Sequence, residues 1–114
     1  MSEQDCLFCK FVAKQIPVDL VAENDGAIAF NDINPQAPVH VLIIPKLHVS
    51  DLSELSEHPT DLTSVIQLAA QVAEELKLSA GYRFVFNTGT QAGQSVFHAH
   101  GHLLGGRSMQ WPPG

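Results

Sequence analysis

His98, His100 and His102 alternate with Ala99 and Gly101 near the C-terminal end of the chain. On a β-strand this spacing carries all three imidazoles on one face, because successive side chains point to opposite sides. Burying such a row without partners costs roughly 1–3 kcal/mol for each unsatisfied group. Ordinary core packing therefore does not explain it, which leaves an exposed histidine-rich strand or a functional site. Two chemistries fit the functional case. In the first, the imidazoles ligate a metal, since histidines two apart on a strand commonly hold zinc together with a third His or a carboxylate. In the second, one imidazole is a nucleophile whose far nitrogen is held by another group, which sets its tautomer, while its neighbours bind phosphate oxygens. Gly93, Gln94 and Ser95 lie just upstream, with Gly89 close by. Glycine lets the backbone turn N–H groups toward an anion, and the serine adds a hydroxyl donor. Donors in that place favour phosphate over a bare metal.

A second group of candidate residues opens the chain. Cys6 and Cys9 stand in a C-x-x-C spacing and are its only cysteines. Two thiols without a secreted context do not make a disulfide framework. They read as reduced thiols, a redox couple or half of a metal site. No βαβ pattern precedes them, which argues against a thioredoxin-type pair.

The elements that must position these groups follow from periodicity. Apolar residues at 7, 8, 11 and 12 predict a helix over 7–15, stopped at Ile16-Pro17. Residues 18–23 and 27–32 read as strands joined by the hairpin turn Asn24-Asp25-Gly26. After the loop 34–38, the β-branched run 39–45 predicts a strand ending at Pro45. Asp51 or Ser53 caps a short helix reaching Glu57. The long helix is predicted over 61–78, with positions 62, 65, 66, 69, 72, 73 and 76 on one face. Strands over 82–87 and 96–104 complete the pattern, flanking the loop 88–95. This order predicts one α+β domain over residues 1–114, with a mainly antiparallel sheet of about five strands. Whether 39–45 and 82–87 run parallel is left open by pattern alone.

Composition narrows the partners. The chain has 114 residues, 45% of them apolar, with 6 basic against 12 acidic residues and a net charge of -6. With no Lys/Arg cluster it lacks the basic footprint of a DNA or RNA binder. Its longest apolar run, 41–45, is too short to span a bilayer. The N-terminal sequence shows no basic segment followed by an apolar stretch, so a cytoplasmic protein with no membrane association is expected.

The run from Gln94 to Leu104, QSVFHAHGHLL, resembles the signature of the histidine-triad (HIT) nucleotide-binding family, in which the triad histidines alternate with apolar residues. Gly101 departs from that pattern. Phe30 to His40, FNDINPQAPVH, is similar to the family's nucleoside-binding segment. Gly81-Tyr82-Arg83, Asn87 and the tail from Gly105 to Gly114 resemble its Hint branch.

The resemblance implies a hydrolase that releases a purine nucleoside monophosphate from adenosine or guanosine 5′-phosphoramidates and from acyl- or aminoacyl-adenylates, with no cofactor needed for catalysis. It makes His100 the nucleophile, His102 a phosphate ligand with Gly93, Gln94 and Ser95, and His40 the group that orients His100. Asn87 contacts the phosphate or leaving group, Asn31 lies in the nucleoside-binding segment, and Asp32 binds the ribose. Phe8, Phe11, Ile16, Phe30 and Ile33 wall the base. It also implies a homodimer with one continuous sheet across both subunits. The tail 107–114 then brings Trp111 toward the partner's site. Finally, it implies a structural zinc held by Cys6, Cys9, His48 and the first triad residue, His98. Hydrolysis of dinucleoside polyphosphates, and a metal-dependent hydrolase with the triad as ligands, are the alternatives.

Overall fold

The computed structural model describes residues 5–114; Met1–Gln4, on which the reading of the N-terminal sequence partly rests, lie outside the described residues. The sheet is built around two strands whose residues are apolar on both faces. In β2 (Ala27–Asn31) and β3 (Val39–Pro45), Ile28 pairs with Ile44 and Phe30 with Leu42 in an antiparallel ladder. Ala27, Ala29, Val41 and Ile43 face one side of the sheet, and Ile28, Phe30, Leu42 and Ile44 the other. Period-2 alternation thus serves two cores at once. β1 (Leu20–Glu23) joins through the predicted turn. There Asn24 Oδ1 accepts the N–H groups of Gly26 and Ala27 at 3.1 and 2.9 Å, and its amide donates to the Ser64 carbonyl.

The sheet is completed by β4 (Tyr82–Phe86) and β5 (Gly101–Gly105) in the order β1-β2-β3-β5-β4, every pairing antiparallel. The α+β expectation holds, and the open question of 39–45 against 82–87 is answered: these strands do not touch, because β5 lies between them. Two short helices, α1 (Leu7–Val12) and α2 (Leu52–Leu55), accompany the long α3 (Pro59–Glu75). α3 covers one face with Val65, Leu68, Ala69, Val72 and Ala73, and α1 covers the other with Phe8. Ile66 and Leu76, assigned from the pattern to the buried face, are exposed, and Leu68 takes their place. Among the described residues no helix is long and apolar enough to cross a membrane.

The last strand is the main correction. It spans 101–105, not 96–104, so His98 and His100 lie outside it. Gly101 is the last residue with a partner on each side, Ile43 in β3 and Phe86 in β4. Upstream of it the ladder is replaced by other bonds: the Ala99 N–H reaches the Val49 carbonyl at 2.7 Å, and the His98 ring reaches Pro45 O. The three imidazoles nevertheless stay on one side: Phe8 packs against the rings of His98 and His100, and His102 pairs with Leu42, while Ala99 and Leu103 join the opposite core.

Gly101 also explains its own departure from the family pattern. A Cβ there would overlap the ring of Phe84. Gly101→Val is expected to destabilise the fold by about 2 kcal/mol through overpacking. Combined with Phe84→Val in a double-mutant cycle, it should show a coupling energy of about 1 kcal/mol or more. Additive denaturation midpoints would show that the two sites do not share this space.

Candidate functional site

His98 is the fully buried end of a Cys/His cluster. Its Nε2 lies 2.8 Å from the Pro45 carbonyl, which can only accept, so Nε2 carries the proton and Nδ1 the lone pair. That Nδ1 lies 3.4 Å from the sulfurs of both Cys6 and Cys9 and 3.2 Å from His48 Nδ1; Cys9 Sγ and His48 Nδ1 are 3.0 Å apart. The C-x-x-C spacing is close to one helical turn, which puts both thiols on one side of the start of α1. Cys6 also caps that helix, its sulfur accepting the Cys9 N–H at 3.3 Å. Burial pushes the His98 pKa down to about 4, outweighing the Pro45 bond, so the ring stays neutral. Zinc bonds of about 2.0–2.3 Å place tetrahedral donors roughly 3.3–3.8 Å apart, close to this spacing. A ligating imidazole that donates its other N–H to a carbonyl is the usual supporting arrangement. The four residues therefore fit a tetrahedral metal.

His100 lies between this cluster and the sheet. Its Nδ1 is 2.8 Å from the carbonyl of His98, which holds the proton on Nδ1 and leaves the lone pair on Nε2. Phe8 meets the ring edge-on at 5.3 Å, and the His102 ring is 4.9 Å away. Burial lowers the His100 pKa below the usual imidazole value, against the opposing effects of the His98 carbonyl and of Asp32. The nitrogen is therefore unprotonated and nucleophilic at neutral pH.

The expected contact between His40 and His100 is not formed. β3 and β5 pair His40 with Leu104 and Leu42 with His102, which makes the two histidines diagonal neighbours on one face. The Gln36 N–H donates to His40 Nδ1 at 3.0 Å, so His40 carries its proton on Nε2, 2.9 Å from His102 Nδ1. His102 is thereby left with its proton on Nε2. Burial, reinforced by the neighbouring His100 and His40, pushes its pKa down to about 4. Asp32 Oδ2 lies 3.4 Å from His40 Nε2, while its Oδ1 accepts the Asn34 N–H at 2.8 Å.

Asp32, His40 and His102 are close enough to share an ion, but their hydrogen bonding opposes it. A neutral imidazole bound to a metal through Nε2 must carry its proton on Nδ1, where the Gln36 N–H already donates to His40. Nor do the three triad imidazoles form one ligand set among the described residues: His98 belongs to the thiol cluster, His102 to the Asp32–His40 group, and His100 to neither.

Other predicted residues divide. Phe8, Phe11 and Phe30 form an edge-to-face cluster beside His100, with Phe8–Phe30 and Phe11–Phe30 centroids at 5.5 and 5.3 Å. Ile16 lines a separate hollow with Phe11, and Ile33 and Asn31 are exposed. Asn87 joins His40, His102 and Gln36 around a cleft of about 440 Å³. A larger hollow, about 610 Å³, lies at the end of α3 and contains none of the histidines. Gly93 adopts the left-handed φ of 93° that only glycine takes without strain, and Ser95 is exposed. The Gln94 side chain, expected on phosphate, is instead buried and hydrogen-bonded within the protein. Trp111 is 81% exposed, with Arg83 over its ring at 6.0 Å and donating to the Gln110 carbonyl.

What residue types did not reveal is mostly backbone: the carbonyls of Pro45 and His98 and the Gln36 amide, which set the three tautomers. No side-chain pattern marks such groups. The Pro35–Pro38 loop, which delivers the Gln36 amide, was the one available signal.

The profile of the HIT domain family matches residues 13–109. The adenylylsulfatase HINT1 of Arabidopsis thaliana is 44% identical over 99% of this chain and 79% of its own length. The 14 kDa zinc-binding protein of Brassica juncea is 44% identical over 96% of this chain and 100% of its own. A solved structure of a HIT family hydrolase from Legionella pneumophila Philadelphia 1 superposes with a TM-score of 0.91 at 46% identity, covering 96% of this chain and 100% of that one. With a matched profile across most of its length, relatives this similar and the same fold, the chain belongs to the HIT domain family.

Proposed function

We propose that the protein is a nucleotide hydrolase that cleaves purine nucleoside 5′-phosphoramidates and acyl- or aminoacyl-adenylates through a nucleotidyl-histidine on His100. The observation that carries this reading is the bond from His100 Nδ1 to the His98 carbonyl, which leaves a neutral Nε2 lone pair beside the cleft histidines. Nε2 attacks the α-phosphorus, the P–N or P–O bond breaks, and the leaving group takes a proton from solvent, while His102 Nε2–H donates to a phosphate oxygen. The His40 donor keeps that proton on the outer nitrogen of His102. Water then attacks the nucleotidyl-histidine and releases the monophosphate. Ser95 and Asn87 bind the phosphate, the Phe8–Phe11–Phe30 cluster backs the base, and Asp32 accepts from the ribose hydroxyls.

A zinc ion on Cys6, Cys9, His48 and His98 is part of the proposal, supported by the donor set and by the name of the Brassica relative. Bound there, zinc supplies structural cross-linking of α1 to the triad segment. A homodimer through α3 and β4 is supported by the edge position of β4 and by the exposure of Ile66, Leu76 and Tyr82. In that dimer the tail carries Trp111 to the partner.

A sulfate leaving group, named in the Arabidopsis relative, suits the same nucleophile, so adenylyl sulfate belongs beside the phosphoramidate in the assay. The test is AMP release from adenosine 5′-phosphoramidate, with acid-quenched samples analysed for a nucleotidyl adduct. The adduct is expected on His100. Turnover in which no adduct forms on any histidine would remove the covalent mechanism, and activity confined to dinucleoside polyphosphates would remove the substrate class.

A further inference from the structure

Gln94 lies in the loop between β4 and the triad, 5% exposed, with every hydrogen-bonding group of its side chain used. Its Nε2 donates to the carbonyls of Ser50 at 2.7 Å and Val96 at 3.1 Å. Its Oε1 accepts the Gly89 N–H at 2.9 Å, and its own N–H closes back on the Gly89 carbonyl at 3.1 Å. One amide therefore closes the loop at both ends and ties it to the segment after β3. That segment does more. His48 reaches the thiol cluster, the Val49 carbonyl takes the N–H of Ala99 between His98 and His100, and Ser50 takes Gln94. Three consecutive residues thus fasten the metal cluster, the nucleophile segment and the glycine loop.

We infer that Gln94 is the positioning residue of this loop, presenting Gly93 and Ser95 to the phosphate of a bound nucleotide without touching it. The hydroxyl and amide of Ser95 make no hydrogen bond among the described residues, so their position depends on what holds the loop. Gly89 and Gly93, at φ of 86° and 93°, leave the loop free to follow other paths unless something restrains it. A buried amide with three partners supplies that restraint. Removing it leaves a buried N–H and two carbonyls unpaired, which drives the loop to rearrange toward water.

The inference rests on the nucleotide reading above and is tested by comparing ligands with and without phosphate. Gln94→Met keeps the volume and removes all three bonds. Gln94→Glu keeps the acceptor for Gly89 and sets a carboxylate against two carbonyls. In both, AMP affinity measured by calorimetry should fall by roughly 10- to 100-fold, while adenosine affinity stays within about twofold. Equal losses for both ligands would make Gln94 merely structural, and unchanged AMP affinity in a folded variant would overturn the inference. Amide hydrogen exchange on the wild-type chain tests the same point without a variant. The Gly89 N–H should be protected before any nucleotide is added, and exchange at Ser95 should slow only when AMP binds. A Gly89 amide that is unprotected until AMP arrives would show that Gln94 does not hold the loop. A wild type that binds neither AMP nor adenosine would defeat the nucleotide reading instead, and the Gly89 exchange would still decide the bracket.

Discussion

His100→Ala is expected to lower turnover of adenosine 5′-phosphoramidate by about 10⁴-fold or more, with AMP affinity changed only severalfold. The size of the loss follows from the covalent route: without the imidazole there is no group to form the first bond, and only binding and phosphate stabilisation remain. The small change in affinity follows from the division of labour in the cleft, where His102, Asn87 and Ser95 remain to hold phosphate. His102→Ala and His40→Ala should each cost less, on the order of 10²–10³, the range of a lost phosphate-oxygen donor or of the group that sets its proton. His40→Ala should cost less than His102→Ala, since His40 acts through His102 and not on His100. Circular dichroism confirms folding of each variant. Wild-type turnover by a folded His100→Ala protein would sink the nucleophile assignment and with it the proposed mechanism.

Cys6→Ser is expected to release the metal and to lower the thermal midpoint by on the order of 10 °C or more. An ion that binds only the folded chain stabilises it by mass action, and about 2–3 kcal/mol in a domain of this size shifts the midpoint by that much. Cys6 is the more damaging of the two thiols because it is completely buried and also caps α1. Cys9→Ser should lose the ion as well, with a smaller thermal shift, since Cys9 is only partly buried. Metal analysis of protein purified in trace zinc should give about one ion per chain for the wild type and none for either variant. A wild-type protein that carries no metal, and whose midpoint is unmoved by added zinc or by chelator, would leave the cluster as two thiols and two imidazoles. The His98 carbonyl bond to His100 ties this result to the first one. A metal-free protein that stays folded should retain adduct formation on His100, only more slowly, because the ion is not needed for the attack.

The strands 27–31 and 39–45, the turn at Asn24, the long helix and the family itself were all legible in the linear order of residues. These features are local: a run of alternating apolar residues, a side chain that caps its own turn, a spacing of one helical turn between cysteines. The grouping of Cys6, Cys9, His48 and His98 was also legible, though only through resemblance, because nothing in the sequence brings residue 6 to residue 98. The tertiary structure decided the rest. It ended β5 at Gly101, so that the backbone upstream bonds elsewhere and the His98 ring meets the thiols. It directed His40 to His102 through a strand register that periodicity cannot specify. It buried Gln94, which composition assigns to a solvated loop. Above all, it assigned the protons. The tautomers of His98, His100 and His40 are set by the Pro45 and His98 carbonyls and the Gln36 amide. Every residue except proline carries such an amide and every residue such a carbonyl, so residue type determines that imidazoles are present, and only the path of the backbone determines which nitrogen is free to react.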